Sequence, residues 1–278
     1  MTALRSILLH LDASPDQRHR LAVAAQLAAS HSARLSVLYA VMPVLMQYPF
    51  AMSGDGAAVA QLAQWEADAR STAQAAFARD AAVLGLADVA WQVSEDEPVR
   101  ALRSSAWAHD LLVLTQHNPN AAQPSGVPSD AVAALLVGTG KPALVLPYTG
   151  GASTATRRVL VAWKPTPESA RALTAALPLL QRADEVHLAC WDDGGLAGAD
   201  AAVPALQFLQ HHGITATVHD GGPAGADVGE LLLSRAADLQ SDLLVMGCYG
   251  HGRAREWALG GATRTVLASM TLPVLMAH

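Results

Sequence analysis

Charge and aromatic residues are both scarce: Asp, Glu, Lys and Arg make up 15% of the 278 residues, and Phe, Trp and Tyr 5%. No run of lysine and arginine occurs, and the formal net charge is −6. That balance argues against nucleic acid as a partner, because sequence-independent binding needs a basic face, and nothing in it favours anionic lipid. Cysteine is nearly absent. Cys190 and Cys248 stand far apart with no CxxC pair, which speaks against a disulfide framework or a zinc ribbon; both read as buried, reduced thiols. No stretch reaches the roughly 20 apolar residues that span a bilayer. The run 7–11 is too short for a signal-peptide core, and no small-residue cleavage pattern follows it. A protein of the cytoplasm, with no membrane partner, is the expectation.

What is present is aliphatic and repetitive. Hydrophobic residues make up 51% of the chain, a compact globular composition long enough for two ordinary domains. The segment from Ser6 to Pro15 resembles that from Arg158 to Pro167: an aliphatic run, a turn with proline, then an alanine-rich amphipathic stretch (16–31 and 168–182). Further on, 34–41 matches 185–191, Asp-Leu-Leu-Val-Leu at 110–114 matches Asp-Leu-Leu-Val-Met at 242–246, and 141–146 matches 272–276. The order is β-α-β-α-β-α-β-α-β, twice. Strands are predicted at 7–11, 35–40, 89–93, 111–114 and 143–146, then at 159–163, 186–191, 215–218, 243–246 and 274–276. Short Val, Leu and Ile runs between helices predict strands buried on both faces of a parallel sheet. The fold class is therefore α/β, two tandem doubly wound, Rossmann-like domains of five parallel strands each. They cover 1–148 and 157–278, with 148–156 as the linker. The apolar, terminal strands after Pro142 and Pro273 are the expected mutual edge of an intramolecular pseudo-dimer. A homodimer stays open.

Ligands of such folds lie at the carboxyl ends of the strands, which directs attention to Asp12, Lys164, Trp191, Thr115 and Gly247. Residues 246–267 read Met-Gly-Cys-Tyr-Gly-His-Gly-Arg-Ala-Arg-Glu-Trp-Ala-Leu-Gly-Gly-Ala-Thr-Arg-Thr-Val-Leu. Gly247 ends a strand, Gly250 and Gly252 follow in a loop, and Gly260-Gly261 precede a helical stretch. Glycine lets backbone amides approach a ligand, and free amides at a helix start suit an anion. His251 and Arg253 add charge. A plain turn function fits the same glycines equally well on composition. The pattern is neither a P-loop nor GxGxxG after a first strand.

The spacing Gly247-x2-Gly250-x9-Gly260 resembles the nucleotide motif of the universal stress protein family, in which Ser or Thr follows the last glycine. The likeness extends to the Asp-Leu-Leu-Val-Met-Gly lead-in and the closing Leu-Pro-Val-Leu-Met strand, and covers nearly the whole chain as two copies. It implies a stress-response regulatory protein that holds ATP or another adenine nucleotide, ATP-binding members placing the phosphates on the glycine amides. The residues it marks are Trp163, Lys164, Trp191, Met246, Gly247, Gly250, His251, Arg253, Gly260, Gly261, Ala262 and Thr263. Three departures stand out. Gly261 occupies the Ser/Thr position, with the Thr263 hydroxyl as the expected substitute. Lys164 occupies the place of an acid that usually faces ribose and base. In the first copy Asp12 is kept, but Thr115-Gln-His-Asn118 replaces Gly-x-x-Gly and Ser129-Asp130 aligns with Gly260-Gly261. A carboxylate at that helix start, Asp130, is expected to cap the helix and to repel phosphate, leaving the first copy degenerate for nucleotide.

Other candidates carry less. His211-His212 with His219 ends a helix without zinc-like spacing, so no metal site is expected beyond Mg²⁺ carried with a nucleotide. Residues 42–52 form an apolar loop with Met46, readable as a lid, an interface patch or a locally packed turn. Glu95, Asp96 and Glu97 read as a solvated acidic turn. There is no GxSxG and no nucleophile with a base, so catalysis is limited to a slow, Mg²⁺-dependent ATPase. A pseudo-dimeric interaction module that binds no nucleotide remains the alternative.

Overall fold

The computed structural model describes residues 3–12, 14, 17–43, 46, 56–86, 88–121, 126–151, 156–192, 198–223, 227–249 and 261–278. In the first half the order is β1 (Ser6–Leu11), α1 (Gln17–His31), β2 (Arg34–Ala40), α2 (Gly56–Val83), β3 (Trp91–Ser94), α3 (Pro98–Ala106), β4 (Leu111–Thr115), α4 (Ala131–Thr139) and β5 (Ala143–Leu146). The second half repeats it with β6 (Arg158–Ala162), α5 (Pro167–Leu180), β7 (Glu185–Asp192), α6 (Gly198–His211), β8 (Thr217–Pro223), α7 (Val228–Asp238), β9 (Leu243–Gly247), α8 (Gly261–Ser269) and β10 (Val274–Ala277).

All ten strands lie in one sheet of order β3-β2-β1-β4-β5-β10-β9-β6-β7-β8. Pairing within each half is parallel. The halves meet where β5 and β10 pair antiparallel, Val145 opposite Val274 and Leu144 opposite Leu275. These are the two strands whose sequences mark them as the mutual edge. The strand order of one half is the mirror sequence of the other, so the sheet passes through the junction without a break.

Alternation along the buried strands sends side chains to two cores. Ile7, Leu9, Leu11, Val159 and Val161 face one core, with α1 and α5 supplying Leu21, Ala24, Leu173 and Leu177. Leu8, Leu112, Leu160 and Leu244 face the other, closed by Leu102 of α3, Leu135 of α4, Leu232 of α7 and Val266 of α8. The repeated aspartates at the feet of β4 and β9 have a mechanical use. Asp110 accepts from the amides of Arg5 and Ser6, and Asp242 from those of Arg157 and Arg158. Each pins the start of its half's first strand.

Two strands sit later than the sequence pattern predicts. β3 begins at Trp91 rather than 89, because its pairing with β2 starts at Val37 opposite Trp91 and the Trp91 ring packs on Tyr39 and Phe77. β8 runs over Thr217–Pro223 rather than 215–218; its partner β7 is eight residues long, and a register shift between Cys190 and Asp192 carries the pairing on to Pro223. The Glu95–Glu97 turn is only partly solvated: the Glu97 carboxylate caps α3, accepting from Val99 and Arg100. Most of the 42–52 loop lies outside the described residues; within it Met46 is exposed.

Leu275, fully buried in β10, tests the weight of the junction. Leu275→Ala is expected to lower stability by about 2–5 kcal/mol. Both halves should lose it together, read as a single shifted urea transition by tryptophan fluorescence and circular dichroism.

Candidate functional site

Right-handed parallel crossovers bring every helix of each half back antiparallel to its strands, so helix starts gather at the sheet's carboxyl edge. In the second half this sets the first turns of α5 and α8 at the edge where β6 and β9 end. Gly247 closes β9, and a Cβ there would stand 2.5 Å from the Ser169 amide nitrogen and 2.7 Å from the Glu168 carbonyl carbon. Both are backbone atoms of the α5 start, so only glycine lets the strand end approach that turn. α5 itself is opened by Thr166, whose hydroxyl accepts from the Ser169 amide, with Pro167 in its first turn.

Gly261 is the first residue of α8, exposed, and a Cβ there would meet none of the described residues within 4 Å. The start of this helix lies at the carboxyl edge of the sheet. Ala262 packs under α7: its carbonyl would lie 2.8 Å from a Cβ on Gly229. The Asp227 carboxylate caps α7 through the Gly229 amide and also accepts from the Thr265 hydroxyl, tying α7 to α8. Thr263 is buried, 3% exposed, on the inner face of α8 with Val266. It lies within the helix and is not its cap, so its hydroxyl does not take the position that a Ser or Thr at 261 would occupy.

The remaining predicted residues divide by position. Lys164 follows β6 and is exposed, its carbonyl accepting from the Thr166 amide at 2.7 Å. Trp163 is committed to packing: its indole N–H donates to the Ala201 carbonyl of α6 at 2.7 Å. The Trp191 indole lies over Gly221 of β8, where a Cβ would fall 2.2 Å from Nε1. Met246 is buried in β9, so only its backbone can face the edge. Gly250, His251, Arg253 and Gly260 lie outside the described residues. An acid that sequence reasoning missed stands beside Gly247: Glu168, its side chain 16% exposed, 3.9 Å from the Arg171 guanidinium. Burial, then the nearby Glu168 charge, push the Cys248 thiol up to about 12. Burial and Asp220 push Cys190 up to about 11, so both thiols stay protonated near neutrality.

The same edge of the first half is filled from within. Arg20 of α1, 1% exposed, reaches across the end of β1. It donates to Asp12 Oδ1 at 2.5 Å, to Ser14 Oγ at 2.6 Å and to Thr115 Oγ1 at 3.2 Å. Gln17 Nε2 donates to the Asp12 carbonyl at 2.6 Å. Burial alone would raise the Asp12 pKa; the Arg20 and His10 charges with the Arg20 and Ser14 hydrogen bonds overcome it and hold the carboxyl at about 2. Burial lowers that of His10, against the opposing pull of Asp12 and the Ala40 carbonyl; the ring shares a 2.8 Å hydrogen bond with Ala40 O. The acid expected to face a ribose is thus consumed by an internal ion pair with Arg20, and Thr115, at the position of Gly247, accepts a hydrogen bond from the same guanidinium. Asp130 stands at the start of α4, as expected, but its carboxylate makes no capping hydrogen bond. The helix begins instead with the Ala131 amide donating to the Pro128 carbonyl.

Residues 155–278 match the model of the universal stress protein family. The second half is a universal stress protein domain. A universal stress protein from Archaeoglobus fulgidus has a similar structure over 98% of this chain and 97% of its own, at 16% identity and a TM-score of 0.69. A protein of unknown function from Pseudomonas aeruginosa PAO1 aligns over 99% and 92%, at 17% identity and 0.60. A putative universal stress protein from another Pseudomonas aeruginosa strain aligns over 99% and 93%, at 16% and 0.57. At these identities the likeness is one of fold, and it takes in the first half as well as the universal stress protein domain. No curated protein matches in sequence. Among the described residues no helix is long and apolar enough to cross a membrane, and no cluster of three or more His, Cys, Asp or Glu side chains is arranged for a metal ion. His212 packs on the Phe208 ring, and His219 pairs with His187 at 3.1 Å.

The buried Arg20–Asp12 pair gives a direct stability test. Asp12 has a folded value of about 2 against an ordinary 3.8. Its stabilisation is therefore full above about pH 4 and lost as pH falls through about 2. Arg20→Met strands the buried carboxylate and should cost about 3–5 kcal/mol at pH 7. The double variant Asp12→Asn with Arg20→Met should recover part of that, both read by chemical denaturation.

Proposed function

We propose that the chain is a stress-response regulatory protein in which the second universal stress protein domain, 157–278, binds one adenine nucleotide while the first, 1–148, binds none. The observation that carries the reading is the open start of α8 at Gly261, set at the carboxyl edge beside a strand end that only glycine can form. The first amides of a helix have no partner within it and offer an anion the positive end of a helix dipole. In this reading the amides of Gly247, Gly250, Gly260 and Gly261 hold the phosphates of ATP, ADP or AMP. Ala262 extends the amide row, Met246 and Trp191 contribute backbone, and Lys164, His251 and Arg253 contribute positive charge, with Mg²⁺ carried by the nucleotide. Trp163 supports the site from beneath by anchoring the β6 end to α6. Glu168 supplies an acid near the β9 end, in place of the one that Lys164 displaces from the end of β6.

The first half serves as the fixed partner of an intramolecular pseudo-dimer. A guanidinium already lies across its strand ends, with both terminal nitrogens bonded to Asp12, Ser14 and Thr115, and this supports the loss of ligand binding there. A pure interaction module is the second reading, favoured by the same filled edge.

Titration with ATP is expected to give one site per chain, and a stoichiometry of two would sink the division between the halves. Gly261→Asp should keep the parent's melting temperature, since the side chain meets none of the described residues and an acid at a helix start is tolerated. Unit charges about 4 Å apart at an effective dielectric near 20 interact by about 4 kcal/mol, so ATP affinity should fall about a thousandfold. Undiminished binding by that variant would place the phosphates elsewhere.

A further inference from the structure

One side chain of the first half reaches the helix on which this site depends. Gln116 follows β4, in the segment 115–118 that stands where the second half has 247–250. It is 4% exposed. Its Nε2 crosses to the other half and donates to the carbonyls of Leu267 and Ala268 in α8, at 2.9 and 3.1 Å. Its Oε1 accepts from the Tyr148 amide at 3.2 Å, and its own amide donates to the Leu146 carbonyl at 2.9 Å. The amide group is therefore held on both sides, with donor and acceptor each committed.

The acceptors are carbonyls that an α-helix cannot satisfy itself, because the last four have no amide one turn ahead. The counterpart helix α4 solves this locally, ending on Gly140 in the left-handed conformation with φ 63°. α8 has no basic residue in its last turn, and Gln116 caps it from the other half. A helix of nine residues is cooperative over its whole length and marginal by itself, so what holds one end bears on the other, where Gly261 stands. The residue that follows β9 in the matching position is Cys248, a buried thiol with no amide donors, so this support runs from the first half to the second.

We infer that Gln116 is a positioning residue for the second-half site: capping α8 from the first half, it orders the helix start that faces the nucleotide. The inference rests on the proposed nucleotide reading, but its effect on α8 is measurable without ligand. In the full chain, Gln116→Glu keeps the shape and turns a carboxylate toward two carbonyls. Residue-resolved hydrogen exchange should then speed up about tenfold at the Thr265 and Val266 amides, whose partners one turn back are the carbonyls of Gly261 and Ala262. The amides of Leu9 and Leu160 in the central strands should be unchanged. ATP affinity should fall about tenfold. Gln116→Leu, which adds no charge, carries the same readings should the glutamate variant fail to fold.

Unchanged exchange at Thr265 and Val266, or faster exchange confined to residues 267–270, overturns the inference. So does faster exchange there with ATP affinity equal to a binding parent. If the parent binds no ATP, the nucleotide reading fails, and exchange at Thr265 and Val266 alone then upholds or overturns the ordering of α8 by Gln116.

Discussion

The antiparallel pairing of β5 with β10 is the constraint on which the arrangement of the molecule depends. Each half ends on an apolar strand, and an unpaired apolar edge is a liability that invites association. Pairing the two edges with each other removes both. It also makes one sheet of ten strands and aligns the two cores, so that α1 and α5 close one face while α3, α4, α7 and α8 close the other. Because the junction is antiparallel, the carboxyl edges of the two halves point in opposite directions. The two potential ligand edges therefore cannot merge, and each has to be judged on its own residues.

Judged that way, the halves have diverged in how they treat buried charge. In the first, a guanidinium and a carboxylate, with 2% and 10% of their side chains exposed, lie 2.5 Å apart. An ion pair taken out of water is tolerated only when its remaining donors and acceptors are met, and Ser14 and Thr115 meet several of them. A crevice organised around its own neutral pair offers an incoming phosphate little. In the second half the position of Asp12 is taken by Lys164, and α8 begins at an exposed glycine, Gly261.

The glycines of the second half show how differently one residue type is used. Gly247 is required by contact, since a Cβ would meet the α5 backbone; at Gly261 no described residue would meet a Cβ. Both were legible as members of a spaced motif, but the motif does not tell a packing glycine from an exposed one. Thr263 illustrates the same limit. Two residues along the chain from 261 is half a helical turn, and the residue is buried where the sequence invites it to face a ligand. Asp130, too, stands at a helix start, but its carboxylate makes no capping bond.

The sequence by itself determined the strand and helix order of both halves, the strands that would form their common edge and the position of the glycine-rich segment after β9. These follow from local physics: apolar runs bounded by glycine and proline, caps such as Thr166 read within a few residues, and a repeat that states the pattern twice. Tertiary structure alone decided that Arg20 would cross to Thr115, 95 residues away, and that Gln116 would cap a helix 151 and 152 residues further on. It also decided that Trp191 would lie on Gly221 and that Glu168 would stand beside Gly247. Contacts of that kind depend on which faces and edges a sheet brings together. A one-dimensional pattern fixes the period of a strand or helix, but not the neighbour that its polar side chains will find.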